Sequence, residues 1–258
     1  MLSISPLKSA SGAAKYYLSE ENPKDLPDVS LEKNAGDNYY LKEKDQEENT
    51  FWHGKLAIEA GLAGKPVEQA TLESVLSGSL GGETIKGKRD DHKSGFDLTF
   101  SAPKSLSVLA LIGGDSRLIE AHNNAVKFAL TELEKDVAQV KVTHEKGVQE
   151  YENTDSMLFA VVRHKTSREN DMQVHSHALA ANMTRDKEGD LRALSTSLKQ
   201  KGGVINGTGE RIYNFQKYYG ILYQSQLAKE AETLGYSTRG VGNGQFEISG
   251  VPQPILDA

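Results

Sequence analysis

Polar and apolar residues follow two rhythms along this chain. A two-residue alternation runs through "GFDLTFS" at residues 95–101, and it predicts a β-strand. The opening "LSIS" predicts a short strand of the same kind, and three more are expected at "AQVKVTHE", "SMLFAVVRHK" and "MQVHSHALAANMT". The other rhythm is helical. In "DSRLIEAHNNAVKFALTELEKDV", Leu118, Ala121, Ala125, Phe128, Ala129 and Leu133 recur at helical spacing, with Asp115 placed to cap the helix. "SASGAAKYYL" reads as a helix entered from a serine cap, and "GKLAIEAGL" and "VEQATLESVLSG" as short helices ending at glycines. In "APKSLSVLALIGG", Pro103 suits a first helical turn and Gly113-Gly114 an end. A long helix through "NFQKYYGILYQSQLAKEAETLG" is stopped by Gly235. "RDKEGD" is a polar turn before "LRALS", and "YSTRGVGNGQFEISG" a hairpin turning at Gly242-Asn243-Gly244. Consecutive strands interleaved with helices imply an α+β sandwich, a mostly antiparallel central sheet flanked by helices in a single domain over residues 1–258.

Composition adds boundaries to this picture. Residues 19–48 are acidic, poor in apolar side chains and carry Pro23 and Pro27, so they read as an exposed loop. No repeat or low-complexity tract interrupts the rest. With no cysteine, disulfides, thiolate metal sites and a cysteine nucleophile are excluded, so any metal must sit on histidine and carboxylate. There is no leader-like segment and no apolar run of membrane-spanning length, which implies a cytoplasmic protein without membrane insertion. The net charge of −6 weighs mildly against a nucleic-acid partner, although base is concentrated in "KGKRDDHKSG", "RHKTSR", "LKQKGG" and "RIYNFQKYYG".

The chain has seven histidines, and His175 and His177 lie two apart in "QVHSHALAAN". On a strand they project from one face, with Ser176 pointing the other way. If "KTSRENDM" turns between antiparallel strands, His164 lands beside them. Three imidazoles with positions left open fit a catalytic rather than a structural metal site. A lone His-x-His pair is more often ordinary packing; the third histidine at turn distance tips the balance. The residues after the pair, "ALAANM", lack the glutamate of a cupin-type oxygenase site, and the zinc deaminase pattern is absent. Such a metal polarises a carbonyl or phosphoryl oxygen or generates hydroxide. A nucleophile is offered by two tyrosine pairs, Tyr16-Tyr17 and Tyr39-Tyr40, in a chain with ten tyrosines. A phenol favoured as its anion can attack phosphorus, and the phosphotyrosyl ester conserves the energy of the broken phosphodiester.

The combination "SASGAAKYY", "GFDLTFSAPKSLSVLALIGGD", "HNNAVKFAL", "RHKTSRENDMQVHSHALAANMT" and "TLGYSTRGVG" resembles the conjugative relaxases of the TrwC/TraI (MobF) type, in the His-hydrophobic-His class of single-strand DNA endonucleases. The resemblance runs from Met1 to about Pro252, with Ser176 where the class name has an apolar residue. It implies a relaxase, palm-like fold in which His164, His175 and His177 hold a divalent ion. Mg²⁺ or Mn²⁺ would serve in function, while imidazole ligation also admits Zn²⁺, Ni²⁺ or Cu²⁺. It implies Tyr16 as the nucleophile joined to a 5′ phosphate, Tyr17 as its pair, and Asp97 as the carboxylate orienting a ligand histidine. Tyr39 and Tyr40 resemble the second pair, assigned to a second transesterification, but the acidic insertion separates the pairs further than the family pattern does. The implied partners are single-stranded origin DNA with an adjacent hairpin, a C-terminal helicase in a longer chain, and other relaxosome and coupling proteins. Set against the family, the resemblance implies a C-terminal segment that closes over bound DNA and is expected to be missing or shortened in a chain ending at "GVPQPILDA".

A basic groove with aromatic stacking would hold the DNA. Its candidate cations are Lys86, Lys88, Arg89, Lys93, Lys104, Arg163, Arg168, Lys199, Lys201 and Arg211. Lys104 stands out, because a helix start beside the Asp97 strand offers free N–H groups to phosphate. "GETIKGKR" nearly spells a phosphate-binding loop, but Arg89 replaces the required Ser or Thr and no strand precedes it, which excludes ATP binding there. Three other readings compete with a transfer-origin nickase. They are a rolling-circle replication initiator of the same chemistry, a non-catalytic single-strand DNA-binding module, and a metal-dependent hydrolase using water.

Overall fold

The computed structural model describes residues 1–7, 9–18, 49–88, 92–143, 149–167, 171–200 and 203–256, and only the backbone of 198–200. The acidic stretch 19–48, with Tyr39 and Tyr40, lies outside the described residues. In chain order the first nine strands are β1 Leu2–Pro6, β2 Thr50–His53, β3 Ser79–Leu80, β4 Glu83–Thr84, β5 Gly95–Ser101, β6 Gln139–Thr143, β7 Gln149–Asn153, β8 Phe159–Thr166 and β9 Met172–Ala181, and six short strands follow them. The principal helices are α1 Ala10–Leu18, α2 Lys55–Glu59, α3 Gln69–Leu76, α4 Lys104–Leu111, α5 Arg117–Val137, α6 Thr208–Asn214 and α7 Gln216–Thr233.

Five strands form the main sheet in the order β1-β5-β9-β8-β2. Each of its pairings is antiparallel, as the sequence implies. Ten-residue β9 lies at the centre, and its second half, Ala178 to Ala181, is fully buried. Small side chains there let layers close over both faces. Gly95 opens β5 at φ 144°, where a Cβ would sit 1.9 Å from the Ala180 carbonyl oxygen, so only glycine lets β5 meet β9 there.

Alternation sorts the side chains into two cores. Leu98, Phe100, Val161, Val174 and Ala178 face one side, where α4, α5 and α7 cover them. Leu158, Ala160, Val162, Leu179 and Ala181 face the other, with α1, α2 and α3. In α5 the stripe Leu118, Ala121, Ala125, Ala129 and Leu133 is buried as its spacing predicts, but Phe128 is 39 % exposed at the rim of that stripe. Its N-cap is Ser116 rather than Asp115, although the Asp115 carboxylate accepts the Arg117 N–H at 3.1 Å. Ser9 caps α1 by accepting the Gly12 N–H at 3.2 Å. Pro103 is the N-cap of α4 rather than a first-turn residue. The "AQVKVTHE" strand is β6, which pairs with polar β7 in a separate hairpin and not with the main sheet. The glycine-flanked turn at Asn243 forms as expected, with φ 51° at Asn243.

A buried carboxylate ties the two cores together. Glu134 of α5, 3 % exposed, accepts the Lys55 N–H at 2.8 Å and the Met157 N–H at 2.6 Å. Both donors would be stranded without it. Glu134→Ala is expected to lower the unfolding free energy by about 2–3 kcal/mol, read from the shift of a urea transition at unchanged slope.

Two histidines on the structural side of the fold are held neutral. Burial lowers His122 from 6.5 to about 3, and burial with the nearby Lys127 charge lowers His53 from 6.5 to about 4. The unfolded chain therefore binds more protons than the native one below about pH 6.5. Stability is whole above that value and is lost as the pH falls toward the native values, by up to about 1.4 kcal/mol per pH unit for each group. Denaturation measured from about pH 7 to about pH 4.5 should show this slope, and His122→Gln should flatten it.

Candidate active site

The two metal-side strands place the three histidines by register. His164 of β8 is paired directly with His175 of β9, and His177 lies opposite Thr99 of β5. Period-two alternation then turns all three rings to the face that α1 covers. Their candidate ligand atoms lie within 4.8 Å of one another, and the ring centroids are 5.1–5.3 Å apart.

Each ring is oriented by a partner. His177 places Nδ1 2.9 Å from the Asp97 Oδ2, and His175 places Nδ1 3.0 Å from the Gln173 carbonyl oxygen. With Nδ1–H donating in both, the lone pair of each ring lies on Nε2, the atom that would ligate an ion. His164 differs. Its Nε2 is 3.2 Å from the Tyr17 carbonyl oxygen, a contact that only an N–H makes favourable, so the lone pair rests on Nδ1. Burial, reinforced by His177 and His175, lowers His164 from 6.5 to about 4, which keeps it neutral as a ligand must be. A convergent, cysteine-free set of three imidazoles fits a divalent ion.

Asp97 joins this centre to the tyrosine helix. At 4 % exposure its carboxylate needs donors, and the Tyr17 hydroxyl supplies one at 2.9 Å on the same Oδ2 that His177 approaches. Thr99 adds its hydroxyl at 3.3 Å to Asp97 and 3.1 Å to His177 Nδ1. Helix α1 buries Ala13, Ala14, Tyr17 and Leu18 against the sheet, so Tyr17 is fixed by packing as well. Tyr16 stands partly buried beside it, the two rings edge-on at 4.9 Å. The structure thus brings His164, His175, His177, Asp97 and the Tyr16-Tyr17 pair together, with Tyr17 on the carboxylate.

The candidate cations fare unevenly. Lys86 is paired with Asp190, and Lys104 with Asp171. Lys88 donates to the Ser77 carbonyl, Arg211 to the Asp136 carbonyl, and Lys93 is exposed. Arg163 is not an exposed cation: it is 8 % exposed, on the face away from the histidines, and donates to Asn123 and Asn49. The start of α4 beside Lys104 is also taken, since the Glu247 carboxylate accepts the Ser105 N–H at 2.9 Å. Arg89, Arg168 and Lys201 lie outside the described residues, as does the side chain of Lys199. A surface cleft lined by Glu59, Thr71, Glu83 and Arg185 shares no residue with the histidine centre.

Two contributors escaped the sequence reading. Thr99 could have been found, because it sits two residues from Asp97 on the same strand face. The other is His122, whose ring meets the Ser176 hydroxyl behind the sheet at 2.8 Å. Nothing local signals that contact across 54 residues.

The chain as a whole is similar to known proteins. The sequence model of the TrwC relaxase family matches residues 10–258. The chain is 37 % identical to the multifunctional conjugation protein TraI of Escherichia coli strain K12 over 98 % of its own length, spanning 13 % of that protein. It superposes with a TM-score of 0.76 on TrwC complexed with a 27-mer DNA comprising the recognition hairpin and the cleavage site, at 30 % identity, covering all of this chain and 78 % of that one. A metal-bound TrwC structure in complex with OriT DNA matches at a TM-score of 0.77 over the same shares. Sequence match over nearly the whole chain, shared fold and a convergent histidine centre agree, and this chain belongs to the TrwC relaxase family.

Proposed function

We propose that this chain nicks and rejoins one DNA strand at a plasmid transfer origin, through a covalent 5′-phosphotyrosyl intermediate. The observation that carries the reading is the meeting of a tyrosine pair, a buried carboxylate and three convergent imidazoles on one sheet face. A chain that only bound DNA has no use for that set, and a hydrolase using water leaves the tyrosines without a task.

His164, His175 and His177 hold the divalent ion, with Mg²⁺ or Mn²⁺ as the working metal. When bound, it supplies positive charge for the scissile phosphate. Tyr16 is the nucleophile. Its phenolic oxygen bonds to phosphorus, its proton leaves for a nearby acceptor, and the 3′ oxygen departs as a hydroxyl once protonated. One phosphodiester is exchanged for another, so the reverse attack reseals the strand without ATP. Asp97 orients His177 and raises its basicity while holding Tyr17 in place. The Tyr17–Asp97 hydrogen bond also favours a second assignment, in which Tyr17 attacks and Asp97 takes its proton.

TrwC structures hold origin DNA with its hairpin, and the same substrate class is proposed here. TraI is far longer than this chain, and a helicase following the relaxase region of the natural protein is part of the proposal, as are other relaxosome and coupling proteins. Among the described residues no helix is long and apolar enough to cross a membrane, and action in the cytoplasm is proposed.

Labelled single-stranded origin DNA tests the chemistry. The wild-type chain should form an adduct that survives denaturation; Tyr16→Phe should abolish it, and Tyr17→Phe should slow it without removing it. The converse result transfers the nucleophile role to Tyr17. EDTA should stop adduct formation, added Mn²⁺ should restore it, and a joint His175→Ala, His177→Ala variant should stay inactive at any Mn²⁺ concentration. Cleavage with no adduct would make the chain a hydrolase.

A further inference from the structure

The back of the sheet carries a polar structure that the proposed chemistry does not use. Ser176 lies between the two β9 histidines and points the opposite way, into a core of leucine, valine and phenylalanine. Its hydroxyl is 2.8 Å from His122 Nε2, and His122 Nδ1 is 2.8 Å from the Tyr223 hydroxyl. Ser176, His122 and Tyr223 are each 0 % exposed. His122 comes from α5 and Tyr223 from α7, so one imidazole fastens the central strand to both covering helices.

A second tie lies one residue along. Arg163 precedes the ligand His164 and is the cross-strand partner of Ser176. Its guanidinium donates to Asn123 at 3.1 Å, the residue after His122. Both strands that bring histidines to the front are thus bound, at residues adjacent to those histidines, to two consecutive positions of α5. Apolar packing alone fills space without fixing direction, whereas hydrogen bonds weaken steeply when angle or distance changes. A buried polar bridge does not improve on well-packed apolar residues for stability, so its gain lies in where it holds the chain.

We propose that the Ser176–His122–Tyr223 bridge is a positioning device for the metal centre, acting through the β9 backbone to set the convergence of His175 and His177. His122, Ser176 and Tyr223 touch no reacting atom; they act from behind. The inference rests on the three histidines binding a divalent ion, and metal affinity is the property it governs.

The test measures Mn²⁺ affinity by titration calorimetry on the full chain, beside the melting temperature. Ser176→Ala and His122→Leu should each weaken Mn²⁺ binding about tenfold or more, the size seen when the supports of metal ligands are removed. His122→Gln keeps a donor and an acceptor and should recover most of that loss. Leu130→Ala, a fully buried position on α5 away from the bridge, supplies a matched loss of stability and should bind Mn²⁺ as the wild type does. Wild-type affinity in folded Ser176→Ala would overturn the proposal, even if His122→Leu fails to fold. Equal weakening in Leu130→Ala would overturn it too, by reducing the bridge to general stability. A wild-type chain that binds no Mn²⁺ is a separate outcome, which removes the metal centre itself and the bridge's role with it.

Discussion

The direct pairing of His164 with His175 across β8 and β9 is the constraint on which the centre stands. In a pleated sheet, a slip of one residue sends every side chain of a strand to the other face. Here a slip of β9 would carry His175 and His177 into the apolar core and bring Ser176 forward alone. The far end of the strand prevents it. Ala178 to Ala181 are buried on both faces and flanked by β5 and β8, so a shifted register would lose close packing on two sides at once. One half of β9 thus holds the register, and the other half spends it on chemistry.

Asp97 adds a constraint of the same kind in a perpendicular direction. A carboxylate this buried must be satisfied, and its donors come from three elements: Thr99 on its own strand, His177 on β9 and Tyr17 on α1. The interaction that sets the ring orientation of a metal ligand is therefore also the one that docks the tyrosine helix. Ala13 and Ala14 let α1 sit close enough for this. Loss of the carboxylate would loosen both at once, so the His177 ring and the tyrosine helix are not independent parts.

The sequence exposed what period and composition encode. Alternation located β5, β8 and β9, and the two-residue spacing of His175 and His177 with a turn back to His164 was enough to bring three rings together. The chain folds differently from its pattern where backbone pairing rather than side-chain burial decides. Short β2 and polar β7 carry little alternation, and "AQVKVTHE" pairs with β7, whose own residues are polar, so the apolar pattern of one strand did not reveal its partner. Phe128 fits a helical stripe on spacing but falls on its rim. Which of two adjacent phenols reaches Asp97 is set by the rotation of α1, about 100° per residue, and no spacing rule fixes that rotation. Contacts between distant residues were the least legible: Glu247 on the start of α4 and His122 under Ser176 join segments 142 and 54 residues apart.

The net charge of −6 looks at first like an obstacle to a polyanionic substrate, and its distribution removes the obstacle. Residues 19–48 hold ten acidic and four basic side chains, which accounts for the whole excess and leaves the remainder of the chain balanced. The cations paired within the fold, Lys86 and Lys104, must be released from their aspartates before they can neutralise a phosphate, so they add less to DNA affinity than their number suggests. The same distribution bears on Tyr39 and Tyr40, which lie inside the acidic stretch. To present either phenol to a phosphodiester, the chain must bring carboxylates within a Debye length, about 8 Å at physiological salt, of DNA phosphates. Beside Tyr16 and Tyr17 the described carboxylate is that of Asp97, which is buried and hydrogen-bonded by His177 and the Tyr17 hydroxyl.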